Sequence, residues 1–150
     1  MSSLPFQPTA VQSFAVQVRL ARGLAPSQEA AFQRRVEAWL ADRALHMEGG
    51  QTAFGVVAER EMSPIDQADV LLALLDDTAV RHVKIGPLIG ERDDLSLEVT
   101  GLIWVEASRP DPLVDAARLL YEASRMSGAA FLRALGGYVY RTDEHPGAMP

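Results

Sequence analysis

Apolar and polar residues alternate from Phe14 to Leu20, and this period of two predicts a strand with one buried face. The segment 52–59 is rich in small and apolar residues on both faces, which favours a central strand in a sheet. In chain order the predicted strands are 14–20, a short one near Met47, 52–59, 80–85, 95–105 and 138–141.

Apolar residues at spacings of three and four predict helices at 27–43, 63–77 and 112–135, with Gly128 interrupting the last of them. The second helix has the clearest start, because Ser63 is a hydroxyl cap, Pro64 suits the first helical position, and the Asp66 carboxylate can reach back to the cap. The inward faces are predicted to hold Ile65, Ala68, Leu71, Leu72 and Leu75 in the second helix, and Leu113, Ala116, Ala117, Leu120 and Ala123 in the third.

A helix with one apolar face must bury that face, and strands with one apolar face supply matching surfaces. The sequence therefore predicts an α+β domain in which the helices pack over a mainly antiparallel sheet of four to six strands. The predicted core comprises Phe14, Val18, Phe32, Val36, Leu40, Phe54, Leu72, Leu75, Val83 and Val99.

The domain organisation is predicted as a flexible arm at 1–12, one α+β domain at 13–141 and a tail at 142–150. Residues 91–141 form a strand-helix-strand extension of the first part, 13–90. A segment of this length makes only a marginal core by itself, so it is expected to fold onto the first part.

Gly49 and Gly50 mark a sharp bend between the first helix and the strand at 52–59. Glycine tolerates positive φ and has no Cβ, so the pair either turns the chain or lets another backbone approach closely. Together with Gly55 they do not have the spacing of a phosphate-binding loop, and no helix starts directly after them.

The chain has 150 residues, no cysteine and a net charge of -6. This acidic balance argues against non-specific binding of nucleic acid by the whole surface, but it leaves room for a local basic patch. The lack of cysteine excludes disulfides and thiolate chemistry. Neither a signal peptide nor a membrane-spanning run is apparent, so a cytoplasmic protein without a membrane partner is expected.

His46 and Glu48 would share a face of a strand and could supply two metal ligands. An exposed strand end is the favoured interpretation, because no third ligand is apparent, and no metal site is predicted. His82 and Lys84 alternate in the same way and could bind an anion, although a solvated strand face is again favoured. No nucleophile or cofactor motif occurs, so no catalytic residue and no cofactor are predicted.

Residues 13–90 carry a series of short motifs, which are Leu20-Ala21-Arg22-Gly23-Leu24, Phe32, Trp39-Leu40, Ala44-Leu45, Gly49-Gly50, Phe54-Gly55, Ser63, Leu74-Leu75 and Val83-Lys84-Ile85-Gly86-Pro87-Leu88. In order and spacing these motifs resemble the YggL family of small proteins that bind the large ribosomal subunit. The resemblance implies a ferredoxin-like two-layer sandwich and ribosome binding. Residues 91–150 have no counterpart in it, and the N-terminal arm is uncharged where the family often has a basic one.

The favoured function is that of a non-enzymatic binding protein, with the large ribosomal subunit or another protein as its partner. An acidic regulatory module that contacts other proteins, with a homodimer as one form, is the alternative, and a small-molecule enzyme comes third. The predicted partner-binding residues are Arg22, Arg43, His46, Gly49, Gly50 and Gln51.

Overall fold

The computed structural model describes residues 11–90 and 104–135. The predicted strand at 138–141, the tail, Val99 and most of the predicted strand at 95–105 lie outside these ranges. The strands are β1 (Gln12–Leu20), β2 (His46–Gly49), β3 (Ala53–Ala58), β4 (Val80–Ile85), β5 (Ile89–Gly90) and β6 (Val105–Ser108). The helices are α1 (Pro26–Ala41), α2 (Pro64–Asp76), α3 (Pro112–Glu122) and a helix at 128–135.

The six strands form one sheet in the order β2-β3-β1-β4-β6, and β5 also pairs with β1. Every pairing is antiparallel. The first six elements follow the β-α-β-β-α-β order with β1 and β3 in the centre of the sheet, which is the ferredoxin-like plan. The predicted α+β two-layer sandwich is confirmed, and β6 extends it beyond β4.

The alternation along β1 decides which face of the sheet is covered. Phe14 lies opposite Val56 of β3, and Val16 lies between Phe54 on one side and Ile85 of β4 on the other. These side chains are at most 5% exposed and form the inner face, against which the helices pack. The intervening residues of each strand point to the opposite face, called the outer face below.

The start of α2 is the one predicted from the sequence. The Ile65 amide donates to the Ser63 hydroxyl at 3.2 Å, and the Ser63 amide donates to Asp66 Oδ2 at 2.9 Å. Pro64 occupies the first helical position, where no amide hydrogen is needed. This reciprocal capping fixes the point at which the chain leaves β3 and enters the helix layer.

The described members of the predicted core are all buried. The polar residue Gln67 is buried together with this core, and its Nε2 donates to the Gly86 carbonyl at 3.0 Å. This bond satisfies both groups and ties α2 to the end of β4. The confirmed core residues are Phe14, Val18, Phe32, Val36, Leu40, Phe54, Leu72, Leu75 and Val83.

Two predictions about the helix faces are wrong. Ile65 lies in the first turn of α2 and is 54% exposed. The segment that precedes the last helix lies beside it. The inward face of α3 was assigned to a stripe that is largely exposed, whereas Val114 and Ala117 are buried. Of the predicted stripe, only Ala117 is buried; Leu113, Ala116, Leu120 and Ala123 are exposed.

The interruption of the last helical region also lies earlier than predicted. Helix α3 ends at Glu122, Ser124 adopts a φ of 60°, and Gly128 starts the next helix. A Cβ on Gly128 would lie 3.1 Å from the Ile65 backbone, so this glycine allows close packing against α2. The interruption needs no glycine, whereas the contact between the two helices does.

Two adjacent carboxylates at the end of α2 bind two other helices. Arg118 of α3 contacts Asp76 at 2.7 Å, and Arg35 of α1 contacts Asp77 at 2.8 Å. These hydrogen bonds hold the pKa of each aspartate below its usual range. The pairs are partly exposed and contribute little stability each, but they fix how α1 and α3 sit beside α2.

Candidate functional site

The outer face of the sheet carries a group of polar side chains. They come from β1, β2, β4 and β6, because the strand period of two places every second residue there. No helix in the described ranges is long and apolar enough to cross a membrane. The charged and polar residues of this face are Ser13, Gln17, Arg19, His46, Glu48, His82, Lys84, Glu106 and Ser108.

A polar network joins β4 to β6 on this face. His82 and Ser108 are cross-strand partners, and His82 Nδ1 lies 2.6 Å from the Ser108 hydroxyl. His82 Nε2 is 3.3 Å from one oxygen of Glu106, and Lys84 Nζ is 3.8 Å from the other. His82 and Lys84, for which anion binding was the less favoured interpretation, therefore face a carboxylate from the same protein.

Ser108, His82 and Glu106 have the composition of a catalytic triad of nucleophile, base and acid. The pairing of β4 with β6 already explains their geometry. Acyl transfer needs backbone donors aimed at the developing oxyanion. The amide of Arg109, the residue after Ser108, donates instead to the Arg81 carbonyl at 3.1 Å. The arrangement therefore acts as a cross-strand contact that holds β6 to the sheet.

Burial lowers the pKa of His82 below its usual value, and nearby Arg19 and Lys84 add to the effect. Glu106 opposes it without reversing it. The folded state therefore favours the neutral ring. Its contribution to stability is present above the ordinary histidine pKa of about 6.5 and is lost as pH falls through the lowered value.

This linkage gives a test of the network. We expect the free energy of unfolding to fall as pH is lowered from about 7 to about 5, because protonation of His82 then favours the unfolded chain. Urea unfolding at a series of pH values should show a smaller fall for His82→Gln. His46→Gln is the matched control, since this second outer-face histidine is 54% exposed. Equal pH dependence in His82→Gln and the unchanged protein would contradict the assignment.

A β-bulge lies at the end of β1, opposite the start of β4. The register of the pair shifts between Arg19 and Leu20, so that Arg81 and His82 together face Arg19. Arg81 and Arg19 are both exposed, and exposed Arg22 follows two residues after the end of β1. Among the described residues, none of these three arginines forms a salt bridge.

The glycine bend lies at the same end of the sheet. The Val18 amide donates to the Thr52 carbonyl at 2.8 Å, which holds the bend beside the last residues of β1. Gly49 has a φ of 119°, and a Cβ there would lie 3.0 Å from the Ala53 carbonyl oxygen. The bend is therefore a tight turn that requires glycine at this position. We call this part of the sheet, with Arg19, Arg22 and Arg81, the bend end.

The predicted partner-binding residues divide between the two ends of the sheet. Arg22, Gly49, Gly50 and Gln51 lie at the bend end, whereas His46 starts β2 at the opposite end. Arg43 is also outside the bend end, three residues before His46.

Arg43 and His46 are both engaged locally. The Arg43 guanidinium lies 3.8 Å from the centre of the Trp39 ring and donates to the Trp39 carbonyl at 3.2 Å. His46 Nε2 lies 3.7 Å from Glu48 Oε2 on an exposed strand. No group of three metal-ligating side chains occurs in the ranges that the structure describes.

Trp104 lies next to the polar network, directly before β6. The closest atom of its ring would be 3.3 Å from a Cβ on Gly86, and Lys84 Nζ lies 5.4 Å from the ring centre. The ring is half-buried, so part of its aromatic surface remains accessible beside Lys84. Base stacking and cation–π contacts both use such a surface.

The cleft between α1 and α2, on the helix side of the sheet, is small. The cleft between α1 and α2 has a volume of about 130 Å³ and is lined by Trp39, Leu40 and Val70, with the Arg35 and Asp77 pair at its edge. Ligand pockets are usually about 300–1,000 Å³ and collect converging polar groups. The Arg35 and Asp77 side chains bind each other, so this cleft offers no free polar group for a substrate.

The sequence did not indicate Arg19, Arg81, Glu106 or Ser108 as site residues. The alternation along β1 already placed Arg19 on the polar face of that strand. Glu106 and Ser108 could have been found only from the register of β6 against β4, which no local pattern contains.

A scan against protein families gave no match, and searches of curated proteins and of solved structures gave no significant match.

Proposed function

We propose that this chain is a non-enzymatic binding protein that docks on the large ribosomal subunit through the bend end of its sheet. The observation that carries the proposal is the group of three exposed arginines, Arg19, Arg22 and Arg81, without a described carboxylate partner. Arginine binds phosphate with several donors at once, so such a group suits an RNA backbone.

A second feature supports this proposal. The ferredoxin-like plan is the fold that the resemblance to the YggL family implies for residues 13–90.

Sedimentation of cell lysate on a sucrose gradient tests the proposal. At low salt the protein should migrate with the large subunit, and high salt should release it, because phosphate contacts displace counterions. The double variant Arg19→Gln/Arg22→Gln should bind less, and the slope of binding against salt should fall by about 1 for each arginine removed.

The matched control is Arg34→Gln/Arg133→Gln, which removes two exposed arginines from the helix layer. It should migrate as the unchanged protein does. If the unchanged protein stays in the light fractions at low salt, ribosome binding fails as a function. If both double variants weaken binding equally, the bend end is not the contact surface.

The alternative, an acidic regulatory module that contacts other proteins without ribosome binding, is favoured by a separate observation. Helix α3 exposes three leucines, with Leu119 at 70%. An exposed apolar patch of this kind is typical of a protein contact. This reading takes the place of ribosome docking if the protein never leaves the light fractions.

A further inference from the structure

Helix α3 is apolar around more than half of its circumference. At 100° per residue its apolar positions cover roughly 220°, whereas a surface helix needs a stripe of only about 100° to cover a core. Its polar residues are confined to one narrow side. The apolar positions are Leu113, Val114, Ala116, Ala117, Leu119, Leu120, Tyr121 and Ala123.

Among residues 11–90 and 104–135, only one side of this apolar surface is covered. Val114 and Ala117 are each 4% exposed, and the half-buried Tyr121 donates to Asp69 of α2 at 2.9 Å. Leu113 and Leu120, about two turns apart, remain 42% and 46% exposed. The residues Leu113, Ala116, Leu120 and Ala123, spaced by three, four and three, are called the α3 stripe below.

We propose that the α3 stripe binds the same stripe of a second copy of this chain, with the two helices antiparallel about a two-fold axis. In that arrangement Leu113 lies opposite the partner's Ala123, and Ala116 lies opposite the partner's Leu120. Each large residue meets a small one, so the two helices can approach closely and interdigitate. Because the contact is isologous, a closed dimer results.

The charges at the ends of α3 favour the antiparallel direction. Asp111 caps the N-terminus, Asp115 lies in the first turn, and Arg125 follows the C-terminus. An antiparallel pair brings the carboxylates of one copy beside the guanidinium of the other, and it also opposes the two helix dipoles. A parallel pair would place like charges together at both ends.

Arg118 does not obstruct this contact, because it faces away from the stripe. Its guanidinium binds Asp76 at 2.7 Å and Glu122 at 2.9 Å. The helix has 11 residues and is therefore about 16 Å long. One helix pair of this length buries less surface than a standard stable interface, so the dimer is weak and concentration-dependent.

Analytical ultracentrifugation from micromolar to millimolar concentration tests the dimer. The sedimentation coefficient of the unchanged protein should rise with concentration, whereas Leu120→Glu should remain monomeric. Ala38→Glu places the same charge at an exposed position of α1 and should behave as the unchanged protein does. A monomer throughout the range, or equal behaviour of Leu120→Glu and the unchanged protein, would overturn the proposal.

The arrangement itself can be tested with cysteines, because the chain has none of its own. The single variants Ala116→Cys and Leu120→Cys are mixed and oxidised. The antiparallel pair requires that the mixed disulfide forms faster than either symmetric one. Faster symmetric linkage of Ala116→Cys would show a parallel pair and overturn the proposed geometry.

Labelling with a thiol reagent separates a second copy from a cover supplied by the chain itself. Leu120→Cys should react readily in dilute solution, where the protein is monomeric, and slowly at high concentration. Slow reaction at every concentration would show that the chain covers its own stripe, and the dimer would be ruled out. None of these measurements involves ribosome binding, so this proposal and the ribosomal one can fail separately.

Discussion

Replacement of Phe131 with alanine is expected to lower the free energy of unfolding by about 3–5 kcal/mol. Phe131 is 0% exposed, and its ring stacks on Tyr121 with 5.1 Å between the ring centres. The substitution leaves a cavity where the last helix, α3 and the core meet, and it removes the aromatic pair. Urea unfolding followed by circular dichroism measures the change.

The control for this substitution is Leu119→Ala in the adjacent helix. Leu119 is 70% exposed, so its removal should change the free energy of unfolding by less than about 0.5 kcal/mol. If Phe131→Ala lost as little stability as Leu119→Ala, the last helix would not be part of the main core.

A chain that ends at Gly90 is expected to lose cooperative unfolding and to aggregate. It lacks β6, which exposes one edge of β4, and it lacks the two last helices, which uncover part of α2. Part of the common core is lost with them. The buried residues removed include Val105, Ala107, Val114, Ala117, Phe131, Leu132 and Leu135.

Binding of a hydrophobic dye, together with the shape of the thermal transition, measures this effect. A matched chain that ends at Leu135 keeps all the described elements and should unfold in one sharp transition. If the chain ending at Gly90 were soluble and unfolded equally sharply, the first part would be an independent domain.

Much of the fold could be predicted because it depends on local patterns. The period of two in β1 and the Ser63 cap of α2 each involve residues within a few positions of one another. The order of the strands could not be read from such patterns, and it entered the prediction only through the family resemblance.

The predictions for Ile65 and α3 were wrong for a common reason. Helical spacing shows that a residue belongs to an apolar surface, but it does not show which part of that surface the chain covers. In α3 the apolar arc is wide enough for two contacts, and the sequence pattern selected the one on the exposed side. Burial of Val114 depends on where α2 and β6 lie, which no spacing within α3 contains.

The candidate site was harder to predict than the fold. His82 and Ser108 are separated by 26 positions in the sequence, and they meet only because β4 and β6 pair in one particular register. The bulge that places Arg81 and His82 together opposite Arg19 is likewise a property of two paired strands. The glycine bend and Arg22 were identified because their signals are local.

The position of β1 also determines how this chain can fold during synthesis. It precedes the other described strands in the sequence, yet it lies in the middle of the sheet and pairs with 53–58 on one edge and with 80–85 on the other. Chains emerge from the N-terminus, so both edges of β1 stay unpaired until these distant segments have been synthesised. Such long-range pairing slows folding and leaves an apolar strand open to aggregation in the nascent chain. Until residue 85 has emerged, at least one edge of β1 in the growing polypeptide therefore lacks its partner strand.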